Sequence, residues 1–256
     1  MSKRTRTALV ISDMQCDLQD DDFLGRVLTL ARDLDPDKVV WIGDESDATT
    51  IGRWVQGGPE EAEGNLQQQI DVTHGWLKRV REVTPNATHD MAYSNHLARF
   101  SQSITTRLPA FRKLRALSIE NLFGLDELEI SYRREIFEVF PDVIAGHGHQ
   151  WGLTSANQYM KGTSVVAKTG KSVVAGHTHR PLLTSAAVGY NFNMQTNFYM
   201  NVGCSMRFSA AEYITSKSPE WGHGVGVLTW NRTLDRTMPE LLVAQNGRFY
   251  YREKCY

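Results

Sequence analysis

Cysteine is scarce in this sequence: Cys16, Cys204 and Cys255 form an odd and widely spaced set. That excludes a disulfide framework and a cysteine zinc site, and it fits a reducing compartment. Neither sign of charge is in excess, the formal net charge being −1. A chain coated in positive charge for non-specific nucleic-acid binding is not expected, although a nuclease working from a local patch stays open. Long apolar runs are missing as well. The stretch before Ser12 holds four apolar residues, Ala8 to Ile11, against the roughly 7–15 of a secretory leader and the roughly 18 of a membrane span. With 41% hydrophobic residues, the expectation is a soluble, cytoplasmic globular protein with a single domain over 1–256.

Five segments repeat one pattern, a short β-prone run that ends on polar or metal-capable residues. They are ALVISDMQ (Ala8 to Gln15), KVVWIGDESD (Lys38 to Asp47), THDMAYSNH (Thr88 to His96), DVIAGHGH (Asp142 to His149) and SVVAGHTH (Ser172 to His179). Continuous Val/Ile runs predict strands covered on both faces. Between them Leu24, Val27, Leu28 and Ala31 share a helical face, as do Leu66, Ile70, Leu77 and Val80. A polar helical stretch runs from Leu97 to about Leu128, interrupted at Pro109 and Gly124, and Val55 to Asn65 reads as a surface loop. After Pro181 the pattern turns to strands, with Asn246-Gly247 as a hairpin turn. Alternating β and α elements followed by an antiparallel tail predict a layered α/β sandwich, and in such folds ligands gather beyond the carboxyl ends of the strands.

Those ends supply Asp13, Gln15, Asp44, Asn95, His96, His147, His177 and His179. His177 and His179 reach one side together if the backbone there is roughly extended. Carboxylate, amide oxygen and imidazole suit Mn²⁺, Zn²⁺ or Fe²⁺. Eight such groups exceed the needs of one ion, whereas two metals about 3.5–4 Å apart would use them, which suits phosphoester hydrolysis.

The ordered set DMQ, GDESD, SNHLAR, HGHQWG and GHTH, with NVGCS at Asn201 to Ser205, resembles the signature of the calcineurin-like metallophosphoesterases. The match covers roughly Ala8 to Ser205 and looks most like compact bacteriophage-encoded members, for which the compartment would be the host cytoplasm. The resemblance implies a four-layer αββα sandwich with two mixed β-sheets and the metals at the carboxyl ends of the strands. It implies two divalent ions, with Mn²⁺ favoured and Zn²⁺, Fe²⁺, Ni²⁺ or Mg²⁺ as substitutes. Asp13, Gln15 and His179 would hold the first metal, Asp44 would bridge, and Asn95, His147 and His177 would hold the second. His96 would be the catalytic residue beside a metal-bridging hydroxide, and the substrate a small, nucleotide-like phosphodiester or phosphomonoester.

Three positions depart from the pattern. Gln15 replaces a histidine, Leu97 stands where an acid usually follows the Asn-His pair, and Ser94 replaces a glycine. Gln15 is expected to bind through its carbonyl oxygen, shifting preference toward Mn²⁺. Leu97 predicts a less tuned His96. Asp47 is expected to orient a ligand. Arg99, about one helical turn after His96, faces either the phosphate or a surface partner. His149 competes with His147, which is preferred because it directly precedes a glycine. His74, His89 and His223 are read as surface or core residues, with His223 a candidate for the rim, and Trp54 and Trp151 as core or pocket wall. Two rival functions remain: a nuclease on DNA or RNA ends, and a degenerate non-catalytic metal-binding or interaction protein of the same fold.

Overall fold

Short strands buried on both faces, separated by amphipathic helices, dictate layers. The computed structural model describes residues 5–52, 55–191, 193–210 and 220–256. The chain begins β1 (Thr5–Ile11), α1 (Asp21–Leu34), β2 (Lys38–Trp41), α2 (Pro59–Glu63), α3 (Leu66–Val83), β3 (Thr88–Ala92) and α4 (Asn95–Arg107). It continues α5 (Ile119–Leu122), β4 (Ile130–Arg133), β5 (Phe137–Phe140), β6 (Val143–Ala145), α6 (Gln158–Thr169) and β7 (Ser172–Ala175). It closes with β8 (Leu182–Tyr190), β9 (Asn193–Asn201), β10 (Gly224–Asn231), β11 (Arg236–Val243) and a small hairpin of β12 (Tyr250–Tyr251) and β13 (Lys254–Cys255).

Two mixed sheets result, in the orders β11-β10-β1-β2-β3-β4 and β5-β6-β7-β9-β8. Period-two alternation sets their faces. Leu9, Ile11, Val39 and Trp41 pack under α1 and α3, against Phe23, Leu24, Val27, Leu77 and Val80. Ala8, Val10, Val40 and Ile42 point the other way, onto Val143, Ala145, Val174 and Met200 of the second sheet. The outer face of that sheet carries Val173, Ala175 and Tyr199, covered by Val166 of α6. This is the four-layer αββα sandwich the resemblance implied. Asp142 ties the sheets together by accepting from the Thr237 backbone N–H (2.7 Å) and hydroxyl (2.6 Å).

The sequence reading differs from the structure in two places. The surface loop over 55–65 contains α2, with Pro59 at its first position, where a missing N–H costs nothing. The helical stretch over 97–128 is α-helical only to Arg107. Pro109 begins a 3₁₀ turn, a second follows at Arg115–Leu117, and α5 is one turn long. The hairpin turn stands as expected: Asn246 and Gly247 have φ of 51° and 73°, the geometry of a type I′ turn.

Candidate metal centre

The loops leaving β1 and β2 run side by side. Asp13 donates its backbone N–H to Gly43 O (3.1 Å) and Gln15 donates to Asp44 O (2.9 Å). This pairing holds Asp13, Gln15 and Asp44 at φ of 49°, 53° and 54°. His177 and His179, beyond β7, have φ of 73° and 59°. The extended backbone expected for these two histidines is therefore absent. Left-handed residues turn both side chains inward instead, a strained choice that persists only where the surroundings impose it. Asn201 supplies part of that constraint, donating to Gly176 O (2.6 Å) and Thr178 Oγ1 (3.0 Å). Gly176 supplies the rest, because a Cβ there would lie 2.0 Å from Ser12 Oγ and 2.4 Å from Asp13 Oδ2.

A chain of close approaches links the expected ligands. Asp13 Oδ1 lies 3.1 Å from His179 Nε2, and the Gln15 amide nitrogen lies 3.4 Å from the same His179 atom. That amide donates to Asp44 Oδ2 at 3.3 Å, and Asp44 Oδ2 lies 3.1 Å from His147 Nε2. The ligand atoms of Asp44, His147 and His177 all fall within 4.8 Å of one another. Asn95 opens α4, and the next residue, His96, donates its backbone N–H to Asp44 Oδ1 (3.1 Å). Asp13 Oδ2 accepts from the His177 backbone (3.0 Å) and from Ser12 Oγ.

Several of these groups are buried yet unfinished. Asp13 Oδ1, Gln15 Oε1, Asn95 Oδ1 and His147 Nε2 have no aligned hydrogen-bond partner. His147 donates Nδ1–H to Ile42 O (2.9 Å), so its Nε2 carries the free lone pair when the ring is neutral. A buried polar atom left unpaired costs about 1–3 kcal/mol. The oxygen and imidazole lone pairs of Asp13, Asn95 and His147 fit divalent cations, whereas Gln15 presents its amide nitrogen to Asp44 and His179, the reverse of the carbonyl-oxygen contact expected.

The electrostatics agree. Burial opposes ionisation of Asp44, but the imidazoles of His147 and His96 outweigh it and hold the carboxyl well below its usual range. Asp13 is likewise lowered, with His179 overcoming burial. Burial resists protonation of His147, yet Asp44 raises it to about 9. His177 moves the other way, lowered by burial and by the neighbouring His147. Glu45, wholly buried beside Asp44, is pushed up to about 8 by burial.

His96 sits next to this cluster, with Nε2 3.7 Å from Asp44 Oδ2. Its Nδ1 meets Asp47 twice, the carboxylate Oδ1 at 3.1 Å and the backbone O at 3.0 Å. The acid missing at Leu97 is thus replaced from another loop, while the Leu97 side chain is in the core. Burial lowers the His96 pKa, and Asp44 with the Asp47 hydrogen bond more than reverses this. Arg99 does face inward, its Nη1 donating to Asp47 O (2.6 Å) and its Nη2 lying 2.9 Å from His96 Nε2. His149 is a wall, its ring 5.6 Å from Tyr93 and 5.5 Å from His147. Burial and two imidazole neighbours push its pKa down to about 4.

Of the other candidates, His74 bonds Phe123 O (2.9 Å). His223 stacks between Phe23 and Phe208 and bonds Met206 O (2.8 Å). Trp151 packs against the core under α6, and Trp54 lies outside the described residues. Sequence reasoning passed over Trp221, whose ring lies 4.5 Å from that of His179. His223, the rim candidate, is thus stacked between two phenylalanines, and Trp221, two residues before it, is the residue beside the site.

No protein-family model matches this chain. It is 28% identical to the Gene 54 protein of Mycobacterium phage L5 over 257 residues, covering 97% of this chain and 96% of that protein. The Gene 54 protein of Mycobacterium phage D29 matches with the same identity and coverage. In structure the chain resembles Vacuolar Protein Sorting 29 from Cryptosporidium parvum, with a TM-score of 0.53 and 10% identity over 99% of both chains. The fold is thus a known one, and relatives occur in phages. Among the described residues no helix is long and apolar enough to cross a membrane.

Proposed function

We propose that this chain is a single-domain, dimetal phosphoesterase of the calcineurin-like superfamily, hydrolysing a nucleotide-like phosphodiester or phosphomonoester in the cytoplasm of a host cell. The observation that carries this reading is the set of buried atoms on Asp13, Asn95 and His147 without hydrogen-bond partners, beside a carboxylate, Asp44, that meets the Gln15 amide, the His96 backbone and His147. Asp13, Gln15 and His179 would hold one ion, Asn95, His147 and His177 the other, and Asp44 both. Turning the Gln15 amide over would present its oxygen at the position now 3.3 Å from Asp44 and 3.4 Å from His179. The oxygen-rich first set favours Mn²⁺.

When bound, the ions supply charge neutralisation of the phosphoryl oxygens and an acidified water. The chain's own residues do the rest. Asp47 fixes His96 through Nδ1, and Arg99 Nη2 caps Nε2 at 2.9 Å, a contact that a substrate would displace for Nε2 to reach the phosphoryl or leaving-group oxygen. Arg99 stands beside that nitrogen as a second cationic donor. Water gives its oxygen to phosphorus, the P–O bond to the leaving group breaks, and the leaving oxygen takes a proton held at His96.

The test is metal content together with turnover of a chromogenic phosphodiester and monoester in Mn²⁺. Hydrolysis should vanish with chelator and return with metal. His96→Ala should cut turnover by roughly 10²–10⁴ while metal content stays constant. Two bound ions with no hydrolysis of either ester would instead identify a non-catalytic protein of this fold.

A further inference from the structure

The chain is near neutral as a whole, yet residues 95–117 carry five basic residues and no acidic one. Arg99 and Arg107 belong to α4, Arg115 opens the second 3₁₀ turn, and Arg112 and Lys113 lie between the two turns. This segment starts at the metal cluster, since Asn95 and His96 are the first residues of α4. Two clefts flank the helix. One, of ≈420 Å³, begins at Asn95 and runs past Arg99 and Ser103 to Arg107. At the rise of an α-helix that is about 18 Å of continuous wall. The other, of ≈270 Å³, lies between α4 and the turns, with Arg112, Lys113 and Arg115 opposite Ser101 and Thr105.

The basic residues are not equally occupied. Arg107 is paired with Glu61 of α2, and Arg99 with Asp47. The side chains of Arg112, Lys113 and Arg115 are exposed and have no ion-pair partner among the described residues. Two tyrosines, Tyr93 and Tyr132, share this cleft, and the Tyr132 hydroxyl has no hydrogen-bond partner. Unpaired cations and aromatic rings in one cleft, and hydroxyl and amide donors in the other cleft that reaches Asn95, flank a helix that begins at a phosphoesterase centre, and together they match the parts that bind a single nucleic-acid strand. Leu108, Phe111 and Leu114 are exposed beside the same cations, so an anionic membrane is the competing occupant that the test has to separate, whereas the phosphoesterase centre at the start of the helix favours a strand of phosphodiesters.

We infer that the nucleotide-like phosphoester is part of a single-stranded polynucleotide, which lies along α4 and is anchored by the Arg112–Lys113–Arg115 cluster while one phosphate occupies the metal centre. The inference rests on the phosphoesterase reading for its chemistry, and on the groove alone for its binding. Hydrolysis then consumes one water per phosphodiester, leaving a hydroxyl on one fragment and a terminal phosphate on the other.

The test uses the intact chain and a short, labelled, mixed-sequence single-stranded oligonucleotide, followed by fluorescence anisotropy across a salt series. Arg112→Ala/Lys113→Ala/Arg115→Ala should weaken binding roughly tenfold or more and lower the salt slope by about 2, since each lost phosphate contact removes about 0.7. Turnover of the small chromogenic diester should be unchanged. A control, Lys161→Ala/Lys168→Ala/Arg232→Ala, removes equal charge from exposed positions outside α4 and its turns and should bind as the wild type does. Absence of wild-type oligonucleotide binding at low salt, equal loss in both triple variants, or binding only to anionic lipid vesicles overturns the inference. Hydrolysis of the small diester without oligonucleotide binding sinks the groove and spares the hydrolase; oligonucleotide binding without any hydrolysis does the reverse.

Discussion

The same fold buries two aspartate–histidine neighbourhoods and finishes them differently. On β3, Asp90 receives Lys38 Nζ at 3.2 Å and Arg133 Nε at 2.7 Å. Next to it, His89 contacts the Trp41 indole nitrogen (3.4 Å) and the Thr84 hydroxyl (3.1 Å). Every polar group there meets a partner that the chain itself provides. Around Asp44 and His147 the chain provides acids, amides and imidazoles, its one nearby arginine, Arg99, being bonded to Asp47 and His96 rather than to Asp44, and leaves buried polar atoms open. Burying an anion requires a cation. In the first neighbourhood it is a permanently charged lysine and arginine; in the second it is a set of imidazoles, whose lone pairs become metal ligands when their protons are lost.

The difference can be broken from either side. The largest effect should come from Asp44→Asn, which removes the shared carboxylate. Metal content should fall and diester turnover drop on the order of 10³-fold or more, read by elemental analysis and steady-state kinetics. Next is the pH dependence of His89. Burial lowers its pKa from 6.5 to about 4, so the unfolded chain takes up this proton first as the pH falls. Stability from this group is complete above pH 6.5 and is lost toward pH 4, a change of about 3 kcal/mol. Denaturant titrations over that window should show the loss in the wild type and a flatter profile in His89→Gln. Turnover at neutral pH should not change.

A smaller effect is expected at Asp47. Asp47→Asn keeps the shape but weakens the hold on His96 Nδ1, so kcat should fall about 10–100-fold with metal content intact. Equal turnover in wild type and Asp47→Asn would show that His96 is not oriented from there. The smallest belongs to the paired neighbourhood: Asp90→Ala strands Lys38 and Arg133 at the partly exposed sheet edge and should cost about 2 kcal/mol in chemical denaturation. Kinetic constants should stay those of the wild type.

The positions of the candidate ligands were legible because each follows an apolar run by two to four residues, and such runs mark strand ends in a layered fold. The layers were legible from the same runs, which are apolar on both faces. The handedness of the backbone was not. The positive φ of Asp13, Gln15 and Asp44 is imposed by the pairing of two loops distant in sequence, and that of His177 and His179 by Asn201 and the close approach at Gly176. Asp47 could be placed near the site but not against His96, since that contact joins residues 49 apart. Net charge pointed away from polynucleotides because it averages the basic segment over 95–117 with acids elsewhere. Trp221 gave no signal, because a tryptophan followed by glycine reads equally well as a turn.

The most direct measurement is anomalous diffraction from crystals of the protein grown or soaked with Mn²⁺. The account predicts two peaks on either side of the Asp44 carboxylate, one beside Asp13, Gln15 and His179 and the other beside Asn95, His147 and His177. Peaks elsewhere on the surface, or none with Mn²⁺ in excess, would contradict it.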